Sequence, residues 1–166
     1  YPILVFAIIM TVRRYKTYEL LLSDIKEVIE ELFKSHKDLS ASRVGLRYVN
    51  VIDIDNERDP MSWKQYIHEG MLGIIDFHED QSCITRAFHI LEYNFDGQSV
   101  KFQFGIANPD YPATVKRKQF ILDIDSIFNG AFECSEIMEC IEASHEKEGD
   151  RFWGDFLCWE LFYLGF

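Results

Sequence analysis

The chain has 166 residues, a net charge of −11 and a hydrophobic fraction of 48%. This length and apolar content favour a folded domain with its own core and argue against disorder. The negative charge disfavours nucleic acids and anionic membranes as partners, because both are negatively charged themselves. Its 4 cysteines show no C-x-x-C spacing, so a reducing, cytoplasmic setting without disulfides is expected.

The first half of the chain predicts a strand, a helix and a second strand. The apolar run 3–12 predicts a strand buried on both faces; it is too short to span a bilayer and lacks the features of a signal peptide. From Thr17, apolar residues recur every three or four positions, which indicates a helix capped by that threonine. Residues 43–55 alternate as a strand, and 61–70 predict a short helix.

The second half predicts a hairpin, a further strand and two helices. Asp96-Gly97 lies between two apolar runs, which is a strong hairpin signal. A strand over 118–128 follows, and the pattern becomes helical after Ser135. The polar run 144–150 is interpreted as a solvated turn, and the apolar run 150–164 as a final buried helix.

These elements, in the order β-α-β-(α)-β-β-β-α-α, predict the α+β class. We expect a mainly antiparallel sheet of about five strands with helices packed on one face. Residues 1–166 are expected to form a single domain. Because the chain starts at Tyr1 without Met, it is expected to be the C-terminal part of a longer protein.

Two of the predicted strands end in paired carboxylates, Asp53 with Asp55 and Asp123 with Asp125. Alternate residues of a strand lie roughly 6.6–7 Å apart on one face, so each pair could share Mg²⁺ or Mn²⁺ and support phosphoryl transfer. The same residues also suit a wet strand face and the turn that follows it. No phosphate-binding loop accompanies them, so the structural interpretation is favoured and no cofactor is expected. A metal-dependent nucleotide or phosphoester enzyme is the alternative.

The tail of the chain is dense in aromatic rings. One helix face could not hide them all, and aromatic residues are typical of oligomer interfaces. The first hypothesis is therefore a non-enzymatic interaction domain that forms a homodimer or binds another protein. A third hypothesis is a small-ligand module with an aromatic pocket. The predicted interface residues are Phe152, Trp153, Phe156, Trp159, Phe162 and Tyr163.

Several segments resemble a known family. They read "RYKTYELLLSDIKEVIEEL", "SRVGLRYVNVIDI", "FILDIDSIF" and "ASHEKEGDRFWGDF". Together they resemble an uncharacterised family of sporadically distributed prokaryotic proteins that carries R-[IV]-G-L-R-Y-[IV]-N and L-D-I-D motifs. The resemblance covers about residues 12–165, and its most specific part runs from Arg43 to Asn50. It implies an additional N-terminal portion and a mobile defence or toxin–antitoxin context. Because the family has no settled activity, the resemblance implies no site residue.

Overall fold

The structure is a computed structural model that describes residues 6–13, 16–52, 63–64, 67–77, 79–108, 111–113, 119–152 and 159–165. For residues 82, 146–152 and 159–165 only the backbone is described. The helices are α1 (Tyr18–Ser35), α2 (Glu69–Leu72) and α3 (Cys134–Phe152), with a 3₁₀ turn at Gln81–Cys83. The strands are β1 (Ala7–Val12), β2 (Ala41–Ile52), β3 (Ala87–Phe95), β4 (Gln98–Ala107), β5 (Gln119–Phe132) and β6 (Trp159–Gly165).

The strands form a six-stranded sheet in the order β1-β6-β2-β5-β4-β3. β6 runs antiparallel to both β1 and β2, and β1 and β3 lie at the two edges. Buried side chains of α1, β2 and α3 share one apolar cluster, so these helices pack against the sheet. The predicted α+β class is confirmed, with six strands in place of about five.

The last element of the predicted order is wrong. Residues 159–165 form β6 and not the end of a helix over 150–164. Short apolar runs are ambiguous, because a buried helix and an inner strand both lack a polar face. Phe162 lies opposite Met10 of β1 and Leu46 of β2. Pairing with a strand on each side makes this segment an inner strand and not a buried helix.

Two further boundaries differ from the predictions. α3 continues to Phe152, so the predicted solvated turn over 144–150 lies inside a helix. Its Glu and Lys residues are good helix formers, and a polar composition does not distinguish a turn from an exposed helix. α2 begins at Glu69, close to the end of the helix predicted over 61–70, of which residues 61–62 and 65–66 lie outside the described residues.

The strand predicted at the start of the chain is confirmed as β1, but its predicted burial on both faces is wrong. Exposed and half-buried residues alternate along β1, and Ile9 is 64% exposed. The other face carries Ile8, Met10 and Val12, which pack against the apolar cluster. An apolar run therefore predicts a strand here without revealing that the strand lies at an edge.

The capped helix and the hairpin are confirmed. The Thr17 hydroxyl accepts a hydrogen bond from the backbone N–H of Leu20 at 3.4 Å, as an N-cap does. β3 and β4 are joined by Asp96 (φ 36°) and Gly97 (φ 93°). Positive φ at both central residues is the pattern of the two-residue turn that matches the twist of paired strands.

Contacts divide the chain into two compact units. The first comprises residues 1–49, 92–101 and 124–166, and the second comprises 50–91 and 102–123. The core of the first unit combines Ile25 and Ile29 of α1, Leu46 of β2 and Ile137 and Ile141 of α3. The core of the second is aromatic and is described below.

Candidate functional site

The structure describes half of the predicted carboxylate set. Asp123 of β5 is 5% exposed, and its Oδ2 accepts a hydrogen bond from Gln103 Nε2 at 3.2 Å. Asp125, two residues further along β5, is half-buried, whereas Asp53 and Asp55 lie outside the described residues. No group of three or more His, Cys, Asp or Glu that could hold a metal ion occurs in the described part of the chain. Whether the four carboxylates converge on Mg²⁺ or Mn²⁺ therefore stays a prediction.

The predicted aromatic interface lies on different elements from those expected. Phe152 is the last residue of α3, and Trp159, Phe162 and Tyr163 belong to β6, whereas Trp153 and Phe156 lie outside the described residues. The backbone of β6 is paired with a strand on each side. A strand in this position has no edge to offer to a partner. An interface formed by these rings stays a prediction.

A histidine–tyrosine cluster joins the elements of the first unit. The rings of His145 (α3) and Tyr18 (α1) stack at 3.5 Å between centroids and 6° between planes. A hydrogen bond of 2.9 Å joins the hydroxyl of Tyr48 (β2) to His145 Nδ1. Tyr48 is buried and His145 is half-buried. Each group of this cluster contacts a neighbouring element, so the cluster serves to fix two helices against the sheet.

A second polar network, made of buried hydrogen bonds, crosses the same unit. Gln98 Nε2 donates to Ser126 Oγ at 2.7 Å, Ser126 and Ser144 share a hydroxyl–hydroxyl bond of 2.9 Å, and Ser144 Oγ donates to the carbonyl of Cys140 at 2.9 Å. All three polar side chains are buried. These hydrogen bonds pair polar groups that would be costly to bury alone, and they stabilise the junction of β4, β5 and α3.

The buried thiol of Cys140, beside this network, is not activated as a nucleophile. Burial raises the pKa of Cys140 to about 11, with smaller contributions from the nearby Glu136 and Glu139 carboxylates. The reactive form of a cysteine is the thiolate, which such a pKa disfavours at neutral pH. Cys140 therefore behaves as a small core residue.

The second unit has an aromatic core. Trp63 packs edge-on against Phe120 at 6.0 Å, Phe104 lies 6.5 Å from Phe120, and His89 stacks on Phe104 at 5.0 Å. Trp63 Nε1 is buried without a hydrogen-bond partner among the described residues, as are both side-chain polar atoms of Asn50. Such atoms are usually satisfied by ordered water or by a ligand. The hypothesis of a small-ligand module with an aromatic pocket stays a prediction.

The most conspicuous surface feature is the edge strand β3. Large apolar residues are exposed on both of its faces. Phe88 is 42% exposed, Ile90 54% and Leu91 43%. Tyr93 and Phe95 are each 38% exposed, and their rings stack on one another at 5.8 Å. Among the described residues, no strand lies beside its outer edge.

The sequence of β3 also carries little of the usual protection of an edge strand. Natural edges are blunted by charged side chains, proline or bulges. β3 reads AFHILEYNF, with Glu92 as its only Asp, Glu, Lys or Arg and without proline. Sequence reasoning missed this surface, although consecutive apolar residues at Ile90 and Leu91 break the alternation that a strand with one wet face would show.

Comparisons with protein-family models, with curated proteins and with solved structures find no match to this chain. The family resemblance noted from the motifs therefore stays a prediction. Among the described helices, none is both long enough and apolar enough to cross a membrane.

Proposed function

We propose that this protein is a non-enzymatic interaction domain whose β3 strand pairs with β3 of a second copy. The observation that carries the proposal is the combination, on one strand, of a sheet edge and large exposed apolar side chains. A strand of this kind is a template for another strand. Pairing across a two-fold axis satisfies the N–H and C=O groups of the edge and removes apolar surface from water.

The charge pattern of β3 suits antiparallel pairing with itself. With the two-fold axis at Leu91, Glu92 of each copy lies opposite Ile90 of the other copy. The two Glu92 carboxylates therefore do not face each other directly. A direct pair of like charges would destabilise the dimer. This register matters for a chain of net charge −11, because two copies already repel at long range.

The test is the molar mass in solution, measured by light scattering after size-exclusion chromatography over a range of protein concentrations. The unmodified protein is expected to approach twice the mass of one chain. Ile90→Glu is expected to weaken the dimer at least about tenfold, because burying a half-exposed isoleucine in each copy contributes about 2 kcal/mol in total. The new carboxylate would also lie opposite Glu92 of the other copy, and like charges in that position are destabilising.

The matched control is Ile74→Glu, since Ile74 is 60% exposed but follows α2 in the chain and is not part of β3. This control is expected to remain dimeric, and far-ultraviolet circular dichroism checks that both variants fold. A monomer at every concentration, or a dimer that Ile90→Glu leaves intact, would contradict the proposal.

A further inference from the structure

A groove runs between α1 and α3 on the surface of the first unit. It consists of two adjoining hollows of about 530 and 410 Å³, which share Lys26, Met138 and Glu142. One hollow joins Ile29 of α1 to Cys134 of α3, and the other joins Tyr18 to Glu142. The two helices therefore run in opposite directions along the groove. The stretch of α1 from Tyr18 to Glu30 makes it about 18 Å long, at 1.5 Å per residue.

The floor of the groove is apolar and adaptable. Leu22 and Ile29 of α1 and Met138 and Cys134 of α3 line it, and Leu22, Met138 and Cys134 are half-buried. Methionine is unbranched and polarisable, so it adjusts to partners of different shape. A floor of this kind suits the apolar stripe of an amphipathic helix.

The rim of the groove is strongly acidic. Its carboxylates come from both helices and from the residue before α3, and they are Glu19, Glu30, Glu133, Glu139 and Glu142. The cation that lines it is Lys26, whose Nζ lies 3.9 Å from Glu30 Oε1. All five glutamates are exposed. A cationic partner would therefore find a complementary potential along the whole length of the groove.

We infer that this groove binds a cationic amphipathic helix of about three turns, with its apolar stripe on the floor and its Lys or Arg side chains against the glutamates. Length, apolar floor and acidic rim each restrict the partner in a different way. An anionic helix would be repelled by the rim. This inference is independent of β3 pairing, since β3 contributes no residue to the groove.

The test uses a fluorescein-labelled peptide of about 12 residues, or three turns, with leucines at i, i+3, i+4 and i+7 and lysines elsewhere. A shuffled peptide of the same composition has no apolar face and measures the attraction that any cation feels for an acidic protein. Binding is followed by fluorescence anisotropy at fixed ionic strength. The patterned peptide is expected to bind at least about tenfold more tightly than the shuffled one.

Charge reversal locates the site. Glu139→Lys with Glu142→Lys is expected to weaken binding of the patterned peptide at least about tenfold. The control, Asp24→Lys with Glu27→Lys, changes the net charge by the same amount at exposed positions of α1 that do not line the groove. It is expected to change the affinity by less than about twofold.

Alkylation supplies a second, independent measurement. Cys134 lines the groove, whereas Cys83 is exposed elsewhere and serves as an internal reference in the same sample. The patterned peptide is expected to slow iodoacetamide modification of Cys134 but not of Cys83, as followed by peptide mapping. Equal affinity for both peptides, equal loss in the two charge-reversed proteins, or an unchanged rate at Cys134 would each overturn the inference.

Discussion

Gly105 shows how one residue holds the second unit together. Its φ of +138° lies in a region that residues with a side chain rarely adopt. A Cβ built at this position would lie 2.1 Å from the carbonyl oxygen of Ala87 on the neighbouring strand β3. The close approach of the two backbones therefore depends on the missing side chain.

Gly105→Ala is expected to destabilise the protein by about 3 kcal/mol or more, because backbone strain and a backbone clash occur together. Gly97→Ala is the matched control: φ is +93° there, but nothing lies within 4 Å of the added atom. It is expected to cost about 1 to 2 kcal/mol. Chemical denaturation gives both values, and equal losses would contradict the strand contact at Gly105.

At the scale of elements, the start of α1 is held by local hydrogen bonds. Thr17 caps the helix through Leu20, and Glu19 follows in the first turn. A hydrogen bond from its own backbone lowers the pKa of Glu19, and a hydrogen bond from the Thr17 side chain lowers it further. The ionised form of Glu19 is therefore favoured in the folded state.

Thr17→Ala is expected to destabilise the protein by about 1 kcal/mol at neutral pH, and Thr17→Ser to retain most of the stability. The folded pKa of Glu19 lies below its ordinary value. Ionised Glu19 therefore contributes to folding stability above its ordinary pKa, and this contribution is lost as the pH falls through the lowered pKa. Thr17→Ala should raise the pKa of Glu19 and reduce the loss of stability at acidic pH. Unfolding at several pH values and an NMR titration of Glu19 measure both effects; an unchanged pKa would contradict the bond to Thr17.

At the scale of the molecule, the two ends of the described chain depend on each other. β6 is inserted between β1 and β2, and Leu161 lies opposite Thr11 on one side and Arg47 on the other. In the described sheet, β1 pairs with β6 alone. A defect in β6 should therefore spread to β1 and to the near side of β2.

Leu161→Pro is expected to destabilise the protein by about 2 to 3 kcal/mol, because proline removes a donor from an inner strand and does not fit its pleat. Leu161→Val keeps the donor and the preference for a strand, so it is the control. Hydrogen exchange followed by mass spectrometry should show faster exchange in β1 and β2 as well as in β6. Loss of protection confined to residues 159–165 would contradict the insertion of β6.

The sequence by itself determined the elements whose signals are local. The cap at Thr17, the amphipathic pattern of α1 and the Asp96-Gly97 turn each lie within a few residues, and each predicts the structure found. The candidate interaction surfaces were harder to predict from the sequence. Exposure of Phe88, Ile90 and Leu91 depends on β3 being an edge strand, which no short pattern encodes.

Only the tertiary structure decided strand order, the identity of the last element and the groove between α1 and α3. Phe162 pairs with Met10 from the other end of the chain, and this contact distinguishes an inner strand from a buried helix of the same composition. The glutamates of the groove come from helices that lie far apart in the sequence. The physical reason is the same in each case: burial, pairing and complementary charge are properties of neighbours in space, whereas a sequence pattern reports only neighbours along the chain.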